Sequence, residues 1–303
     1  MSTIQILALA AATFAANPTA SPTPSADQQV LMWRQTRVNN LTKADGWLTL
    51  IGLHWLDAPR STVGNGKANA INLGAGPARL GEILLSPERV LTLKIATTAK
   101  VQVDAKPAQG EIRLLSDAGG ASATQVVFGT VSFSVISRGE RLGLRVKDST
   151  AATRTAFKGL DYFVYDPKWR IEGKFERYSS PRTIDVVSII GTVEPTPNPG
   201  RAVFSHQGRS YSLELLEGSD AQHFFTVFGD RTNGKESYGM ARFLAGSLDS
   251  GGQTVVLDFN TAYNPPCAFT PYATCPMPPE GNRLDVAVRA GERKYSEEVA
   301  SAP

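Results

Sequence analysis

Side chains suited to acid/base and hydrogen-bonding chemistry are concentrated between Asp258 and Arg293. An apolar stretch ends there and runs into a proline-rich loop over residues 265–279. Prolines restrict the unfolded chain, so such a loop loses less entropy on ordering and can present side chains in fixed positions. We therefore expect a ligand pocket at this loop, with Asp258 and Glu280 as the catalytic acid/base candidates. The ligand-binding candidates around the loop are three amides and one guanidinium: Asn260, Asn264, Asn282 and Arg283.

A structural role is the alternative for the same polar groups. Proline lacks an N–H donor, so regular strand pairing must stop at Pro265 and Pro266. The nearby carboxylates and amides would then satisfy the unpaired backbone groups of the loop. On this interpretation the loop is a structural plug in a non-enzymatic envelope or interaction protein, and substitutions in it affect stability alone.

The two cysteines of the chain, Cys267 and Cys275, lie within this loop. An even count and an exported chain favour a disulfide between them. Two thiolates could instead ligate a metal, but no C-x2-C or H-x3-H pattern completes a tetrahedral set, so we predict no metal site. A nucleophilic or redox thiol is the third alternative and needs a base. The histidines that could supply one are His54, His206 and His223.

A second group of candidates follows the apolar stretch Phe224–Phe228. The dipeptide Asn233-Gly234 is typical of hairpin turns, so residues on both sides of it should face each other. The ligand-binding candidates here are Asp230, Thr232, Tyr238 and Arg242. The alternative is that Asp230 caps the turn.

Arg145 is the remaining ligand-binding candidate. It stands between Leu144 and Val146 in an alternating stretch, so its side chain points to the opposite face of the sheet. It either pairs with Asp148 or Asp161, or it holds an anionic ligand, for which a guanidinium is well suited.

Composition and missing motifs exclude several functional classes. The formal net charge is +3 and the basic residues are scattered, which does not favour nucleic-acid binding. The chain has no G-x-S-x-G, S-x-x-K, H-E-x-x-H, G-x-G-x-x-G or P-loop motif. We therefore predict no cofactor. A small molecule is the expected partner, and the ligand, the reaction class and the oligomeric state stay open.

The first fifteen residues form an apolar run that is too short to span a bilayer. Small residues near its end resemble a signal-peptide cleavage site, although no Lys or Arg precedes Arg34. A buried first helix is the alternative. The following NPTASPTP run is typical of a disordered mature terminus. We expect residues 1–24 to be a signal peptide and tail, and the protein to be periplasmic or secreted without a transmembrane segment.

Short alternating stretches predict a mostly β protein. Apolar residues recur at every second position in 91–95, 131–135 and 142–146, with polar residues or glycine between them. This period is typical of antiparallel sheets with one buried face. We expect an antiparallel β-sandwich-like domain followed by a second antiparallel sheet or barrel-like domain that carries the Pro/Cys-rich loop.

One helix is expected before the strands. Residues from Ser25 to Leu41 show helical spacing with Ser25 as the N-cap. Arg34 and Arg37 interrupt the apolar face of this helix, so we expect them to pair with acids elsewhere. We place the helix and the sandwich in one domain, over residues 25–150, and the second β domain over residues 151–303.

Four stretches carry a family resemblance: Gly46–Leu56, Arg141–Asp148, Phe157–Phe163 and Asp258–Pro279. The last, DFNTAYNPPCAFTPYATCPMPP, is long and specific. Together they resemble the bacterial and archaeal domain-of-unknown-function family numbered 1684, over the region from Trp33 to Lys294. The resemblance implies no established activity.

Three further stretches, at residues 52–56, 62–65 and 70–73, resemble the opening strands of a forkhead-associated β-sandwich. That fold uses an arginine just after the glycine to help bind phosphothreonine. This chain has Asn65 at that position, so the resemblance implies a β-sandwich and does not imply phosphopeptide binding.

Overall fold

The computed structural model describes residues 24–296. The predicted signal peptide and nearly all of the predicted tail therefore lie outside the described residues. The mostly β fold class is confirmed, with one N-terminal helix and several antiparallel sheets. Within the described residues, no helix is long and apolar enough to cross a membrane.

Eleven strands form the first unit, a sandwich of two sheets. In chain order they are β1 Leu50–Trp55, β2 Arg60–Gly64, β3 Ile71–Asn72, β4 Gly81–Leu85, β5 Leu91–Ile95, β6 Val101–Val103, β7 Lys106–Ala108, β8 Glu111–Leu114, β9 Gln125–Phe128, β10 Val131–Arg138 and β11 Arg141–Asp148. One sheet has the order β1-β11-β10-β9-β6-β7 and the other β3-β2-β4-β5-β8. Every pairing is antiparallel except β2 with β3. The forkhead-associated resemblance of this unit stays a prediction.

The sandwich core follows the predicted alternation. Val63 and Leu93 from one sheet and Phe133 and Leu144 from the other belong to a single buried cluster. Burial of one face by the facing sheet is the reason that apolar side chains recur at every second position. Arg145 consequently lies on the outer face of its sheet.

The second unit is a closed six-stranded barrel with the order β12-β15-β16-β17-β18-β19. The strands of this part of the chain, including a separate hairpin, are β12 Arg170–Arg177, β13 Thr183–Val187, β14 Val193–Pro197, β15 Gly200–His206, β16 Arg209–Glu217, β17 His223–Phe228, β18 Arg242–Leu248 and β19 Thr254–Asp258. Closure pairs β19 with β12, which removes the exposed edges that an open sheet would present.

The barrel core is completed by the chain that follows β19. Phe259 is fully buried and meets the rings of Phe228, Trp169 and Phe204 at centroid distances of 5.4, 5.7 and 6.0 Å. Leu284 joins the same buried cluster. The segment after Asp258 therefore contributes side chains to the interior of the barrel.

Strands β13 and β14 pair only with each other. A two-stranded hairpin is marginal by itself, so it needs support from elsewhere. The Ile189 N–H donates to the Cys275 carbonyl at 3.0 Å, and the Met277 N–H donates to the Val187 carbonyl at 2.8 Å. The cysteine-containing loop therefore holds the hairpin in place.

Helix α1 spans Ala26–Leu41, as predicted, and is followed by a short helix α2 at Ala152–Thr155. At the start of α1 the Ser25 N–H donates to the Gln28 side chain at 3.0 Å. The helix contacts the C-terminal part of the chain, where the Arg37 Nε lies 2.8 Å from Glu292. Arg34 instead donates to the Phe163 carbonyl. The domain boundaries stay a prediction.

Candidate functional site at the disulfide loop

Cys267 and Cys275 form a disulfide, as predicted. The Cys267 N–H donates to the Cys275 Sγ at 3.1 Å, and the Cys275 N–H donates to the Cys267 Sγ at 3.3 Å. In this bonded state neither sulfur is a thiolate, so the alternatives of a metal ligand and a thiol nucleophile are wrong for it. Among residues 24–296, no group of three or more His, Cys, Asp and Glu residues is arranged to hold a metal ion.

The disulfide loop, residues 265–279, contacts the N-terminal helix region, the barrel and the β13–β14 hairpin. Phe269 packs with Leu41 and Leu48 beside the helix, and Ala273 packs in a cluster with Val227 of the barrel. Backbone hydrogen bonds at Cys275 and Met277 hold the β13–β14 hairpin. A loop that supports several elements must itself be rigid, and the prolines and the disulfide supply that rigidity.

The three predicted amides are fully buried and make internal hydrogen bonds. The Asn260 amide bonds both the N–H and the carbonyl of Asp166. The Asn264 Nδ2 donates to the Arg293 carbonyl at 2.8 Å, while its Oδ1 is buried without a partner among the described residues. These asparagines tie the chain after β19 to neighbouring loops.

Asn282 makes hydrogen bonds where the pairing of two barrel strands is incomplete. Strands β16 and β17 pair only at Leu216–Phe225 and Glu217–Phe224. Beyond that point the Asn282 side chain accepts from the Glu214 N–H at 2.7 Å and donates to the carbonyls of Glu214 and Val227, each at 3.0 Å. The amide thus substitutes for the missing ladder bonds, because a side-chain amide carries the same donor and acceptor types as the backbone.

The two predicted acid/base candidates are not joined in one site. Asp258 is half-buried and caps a short turn, accepting from the Asn260 N–H at 3.0 Å and the Asn260 Nδ2 at 2.9 Å. Glu280 and Arg283 are exposed. No hydrogen bond or ion pair in residues 24–296 connects Asp258 with Glu280. Their catalytic assignment stays a prediction.

The second predicted group forms a buried ion pair. The Arg242 Nη2 lies 2.6 Å from the Asp230 Oδ2, and both side chains are fully buried. The same guanidinium donates to the carbonyls of Ala290 at 2.6 Å and Val288 at 2.8 Å. Burial lowers the pKa of Arg242, and the Asp230 carboxylate opposes that shift. Both side chains are therefore committed to each other and to the backbone.

The other members of this group are also internally bonded. Thr232 is fully buried and shares a hydrogen bond of 2.7 Å with Ser237. The Asp230 Oδ1 accepts from the Thr232 N–H at 2.8 Å, so Asp230 caps the turn as the alternative proposed. The Tyr238 hydroxyl donates to the Cys267 carbonyl at 3.2 Å. Gly234 does turn the chain at φ +81°, but within a connection longer than a tight hairpin.

Arg145 differs from all of these residues. Its guanidinium carbon lies 5.4 Å from the centroid of the Trp47 ring, and its Nη2 donates to the Thr274 Oγ1 at a long 3.4 Å. Its Nε is buried without an acceptor, and no carboxylate of residues 24–296 forms an ion pair with it. Asp148 and Asp161, its predicted partners, do not reach it. Burial and, to a lesser extent, the Arg138 charge lower the pKa of Arg145 to about 10.

Arg138 meets Arg145 at the same hydroxyl. The Arg138 Nε donates to the Thr274 Oγ1 at 3.0 Å, and its Nη1 lies 3.0 Å from the Asp117 Oδ2. Two guanidiniums therefore converge on Thr274, beside the disulfide, and one carboxylate, Asp117, contacts Arg138. Asp117 neutralises only one of the two charges.

A cleft of about 430 Å³ opens beside these groups, and we call it the arginine cleft. Arg145 is not among its lining residues and reaches it through Thr274. The volume is within the range of small-molecule sites. The lining comes from the sandwich, the β13–β14 hairpin, the barrel and the disulfide loop, and includes Asp117, Arg138, Val186, Glu217, Phe225 and Thr274.

Comparison with known proteins agrees with the predicted family. The family described as "Protein of unknown function (DUF1684)" matches residues 155–293. The chain belongs to this family. The predicted stretches at 46–56 and 141–148 lie outside the matched range. No curated protein sequence matches the chain.

A solved structure adds a relative from an archaeon. It is the solution NMR structure of an uncharacterized protein from Haloarcula marismortui, 32% identical in sequence. The similarity covers 46% of this chain and 78% of that chain, with a TM-score of 0.39.

Only some residues of the arginine cleft lie within the range that matches the DUF1684 family. Thr274 and the barrel residues lie within the matched range, whereas Arg138, Arg145 and Asp117 belong to the preceding sandwich. Sequence reasoning found Arg145 and missed Arg138, Asp117 and Thr274. A signal existed for Arg138, which ends an alternating strand just before the Gly139 turn. Nothing in the sequence pattern places Thr274 beside them.

Sequence reasoning also passed over Glu292 in the DUF1684 segment. Glu292 is fully buried, and its Oε1 and Oε2 accept from the Arg37 Nε at 2.8 Å and the Asn264 N–H at 2.7 Å. Burial raises the pKa of this carboxyl, and the Arg37 charge opposes the shift. Glu292 links the start of the described chain to its end.

Proposed function

We propose that the protein binds a small anionic ligand in the arginine cleft, where Arg138 and Thr274 contact the anion directly. The observation that carries this proposal is the positive charge of Arg145, which is largely buried and has no carboxylate partner among the described residues. Burying an unpaired charge is costly, and a bound anion would offset that cost. The disulfide loop contributes by holding Thr274 between the two guanidiniums.

Binding, rather than catalysis, is what this geometry supports best. Asp258 is engaged as a cap and Glu280 is exposed, and neither lines the arginine cleft. An acid/base role for them is therefore no part of the proposal. The proposed ligand therefore lies where the 258–293 segment contacts the sandwich, and not beside the polar residues that flank the proline-rich loop.

Export is a further part of the proposal. The disulfide supports it, because such bonds persist in the periplasm or outside the cell and are rare in a reducing cytosol. Recovery of the intact protein in a periplasmic or culture-medium fraction, with a shortened N-terminus by mass spectrometry, is the expected result. Retention of the full-length chain in the cytosol contradicts it.

The binding proposal is tested by calorimetric titration with phosphate, acetate and hexanoate at low salt and neutral pH. We expect at least one anion to bind, and Arg145→Gln to weaken it by about tenfold or more, because the variant removes the uncompensated positive charge next to the cleft. The matched control is Arg113→Gln, because Arg113 is exposed on β8 of the other sheet. Equal affinity in the wild type and in Arg145→Gln overturns the proposal.

A structural or interaction protein is the second candidate function. It is favoured by the internal bonding of most predicted ligand residues, above all Asn260, Asn282 and Arg242. The same titration separates the two candidates. On this alternative no anion binds, and substitutions in the disulfide loop change only the free energy of unfolding.

A further inference from the structure

The apolar residues of the arginine cleft indicate which class of anion it takes, an inference that rests on the proposed function. Val186 of the hairpin, Leu216 of β16 and Phe225 of β17 line the cleft together with Arg138 and Thr274. Val186 and Leu216 are buried, yet neither joins the clusters of the sandwich core, the barrel interior or the disulfide loop. Both residues therefore supply apolar surface to the cleft and not to one of these clusters.

Strand register places this apolar surface on the outside of the barrel. Leu215 and Phe224 belong to the barrel interior, and side chains alternate along a strand, so Leu216 and Phe225 point outward. These two residues are directly paired on adjacent strands, so their side chains are neighbours. Glu217 is paired with Phe224, and its side chain therefore lies on the opposite face from Leu216. The outer face of the barrel is apolar at this point.

The apolar surface adjoins the polar part of the cleft through the disulfide loop. Phe225 packs against the cluster that contains Cys275, the residue that follows Thr274 in the chain. The Thr274 Oγ1 accepts from the Arg138 Nε at 3.0 Å and from the Arg145 Nη2 at 3.4 Å. A hydroxyl that accepts two hydrogen bonds still has its own proton to donate. Thr274 can therefore donate to an anion whose apolar part covers Phe225.

The charges around the cleft favour a ligand with a single negative charge. Within residues 24–296, Asp117 pairs with Arg138, whereas no carboxylate forms an ion pair with Arg145. Glu194 of β14 also lines the cleft and is exposed. A doubly charged anion such as phosphate meets more repulsion from Glu194 than a monoanion does. A carboxylate carries one charge and matches the planar donors of a guanidinium.

We infer that the arginine cleft binds a monocarboxylate with an unbranched hydrocarbon tail, which is the chemistry of a short fatty acid. The carboxylate lies against Arg138 and Thr274, and the tail covers Leu216 and Phe225. The β13–β14 hairpin contacts the same tail through Val186. Removal of the tail and of this surface from water is the gain that such a ligand has over a simple anion. A cleft of about 430 Å³ has room for a tail of this kind.

The experiment is a calorimetric titration of the wild type with acetate, butanoate, hexanoate and hexanol, at low salt and neutral pH. We expect the affinity to rise by about threefold for each methylene added from acetate to hexanoate, because each one is buried on the apolar surface. Hexanol has the tail of hexanoate without its charge. It should therefore bind at least about tenfold more weakly than hexanoate.

Val186→Thr tests the apolar surface itself, because threonine keeps the shape of valine and replaces one methyl group by a hydroxyl. The variant should weaken hexanoate binding by about threefold or more and leave acetate binding unchanged, which also shows that the site is folded. The matched control is Val127→Thr, since Val127 lies on β9 of the sandwich and does not line the arginine cleft. An equal loss of acetate and hexanoate binding in Val186→Thr contradicts the contact with the tail.

The outcomes separate this inference from the proposed function. Equal affinity for acetate and hexanoate, with both weakened in Arg145→Gln, overturns the inference and leaves the anion site intact. Binding of hexanol as tight as that of hexanoate also overturns the inference, because the carboxylate would then contribute nothing. Absence of binding by every carboxylate overturns it as well. In these last two cases the phosphate titration decides the proposed function.

Discussion

Arg242 and Arg145 were both predicted to bind a ligand, and the fold treats them in opposite ways. Arg242 is fully buried, with a carboxylate and two carbonyls around its Nη atoms. Arg145 is largely buried too, but its Nη2 has only one long hydrogen bond, to a hydroxyl. The Nε atom lacks an acceptor in both. The difference is therefore the counter-charge, which the fold supplies to Arg242 alone.

This contrast separates a structural arginine from a binding arginine. A buried ion pair whose partners are both bonded to the backbone has no remaining capacity for a ligand. A buried guanidinium without a carboxylate can still gain an interaction when an anion arrives. Burial by itself does not distinguish the two, because most of each side chain is removed from contact with water.

The largest effect on stability is expected from Arg242→Met. The substitution leaves the Asp230 carboxylate buried without its cation, which costs about 3–5 kcal/mol in free energy of unfolding. Urea denaturation measures the loss. In the double variant Arg242→Met/Asp230→Asn, part of the stability should return, since the uncompensated charge is gone. A cost under 1 kcal/mol in the single variant contradicts the structural role.

Removal of the disulfide ranks second. Cys267→Ser/Cys275→Ser should lower the free energy of unfolding by about 2–3 kcal/mol, from the chain entropy of a short loop. The same variant should weaken anion binding, because Thr274 lies directly before Cys275. Urea denaturation and phosphate titration of one preparation test both effects. Unchanged binding would show that the prolines alone keep Thr274 in place.

The pH dependence of Glu292→Gln is the third test. Burial raises the folded-state pKa of Glu292 above that of the unfolded chain. Its contribution to stability is therefore complete below the unfolded pKa and is lost as pH rises through the folded pKa. Relative to Glu292→Gln, the wild type should lose about 1.4 kcal/mol for each unit of pKa difference as pH rises from below the unfolded pKa to above the folded pKa. The opposite slope would show that the Arg37 charge lowers the pKa of Glu292 by more than burial raises it.

The smallest effect on stability is expected from Arg145→Gln. Because Arg145 has no carboxylate to leave unpaired and its own charge is costly to bury, its replacement should lower the free energy of unfolding by less than about 1 kcal/mol or raise it. Urea denaturation beside Arg242→Met gives the direct comparison. A loss as large as that of Arg242→Met would place both arginines in the structural class.

Several elements could be predicted because their causes are local. Alternation in β10 and β11 reflects one buried face, the Ser25 start of α1 reflects capping chemistry, and two cysteines eight residues apart can meet without help from distant chain. The asparagines around the loop were recognised as polar groups in an unusual place. Their role in completing the barrel was only one of two alternatives.

The sequence by itself determined the strand period, the first helix, the disulfide and the outward face of Arg145. Only the tertiary structure decided that Asp230 pairs with Arg242, that Glu292 meets Arg37 across most of the chain, and that Thr274 joins two arginines of another unit. Period and turn chemistry follow from neighbouring residues, whereas the counter-charge of an arginine depends on which distant strands the closed barrel and the sandwich bring together.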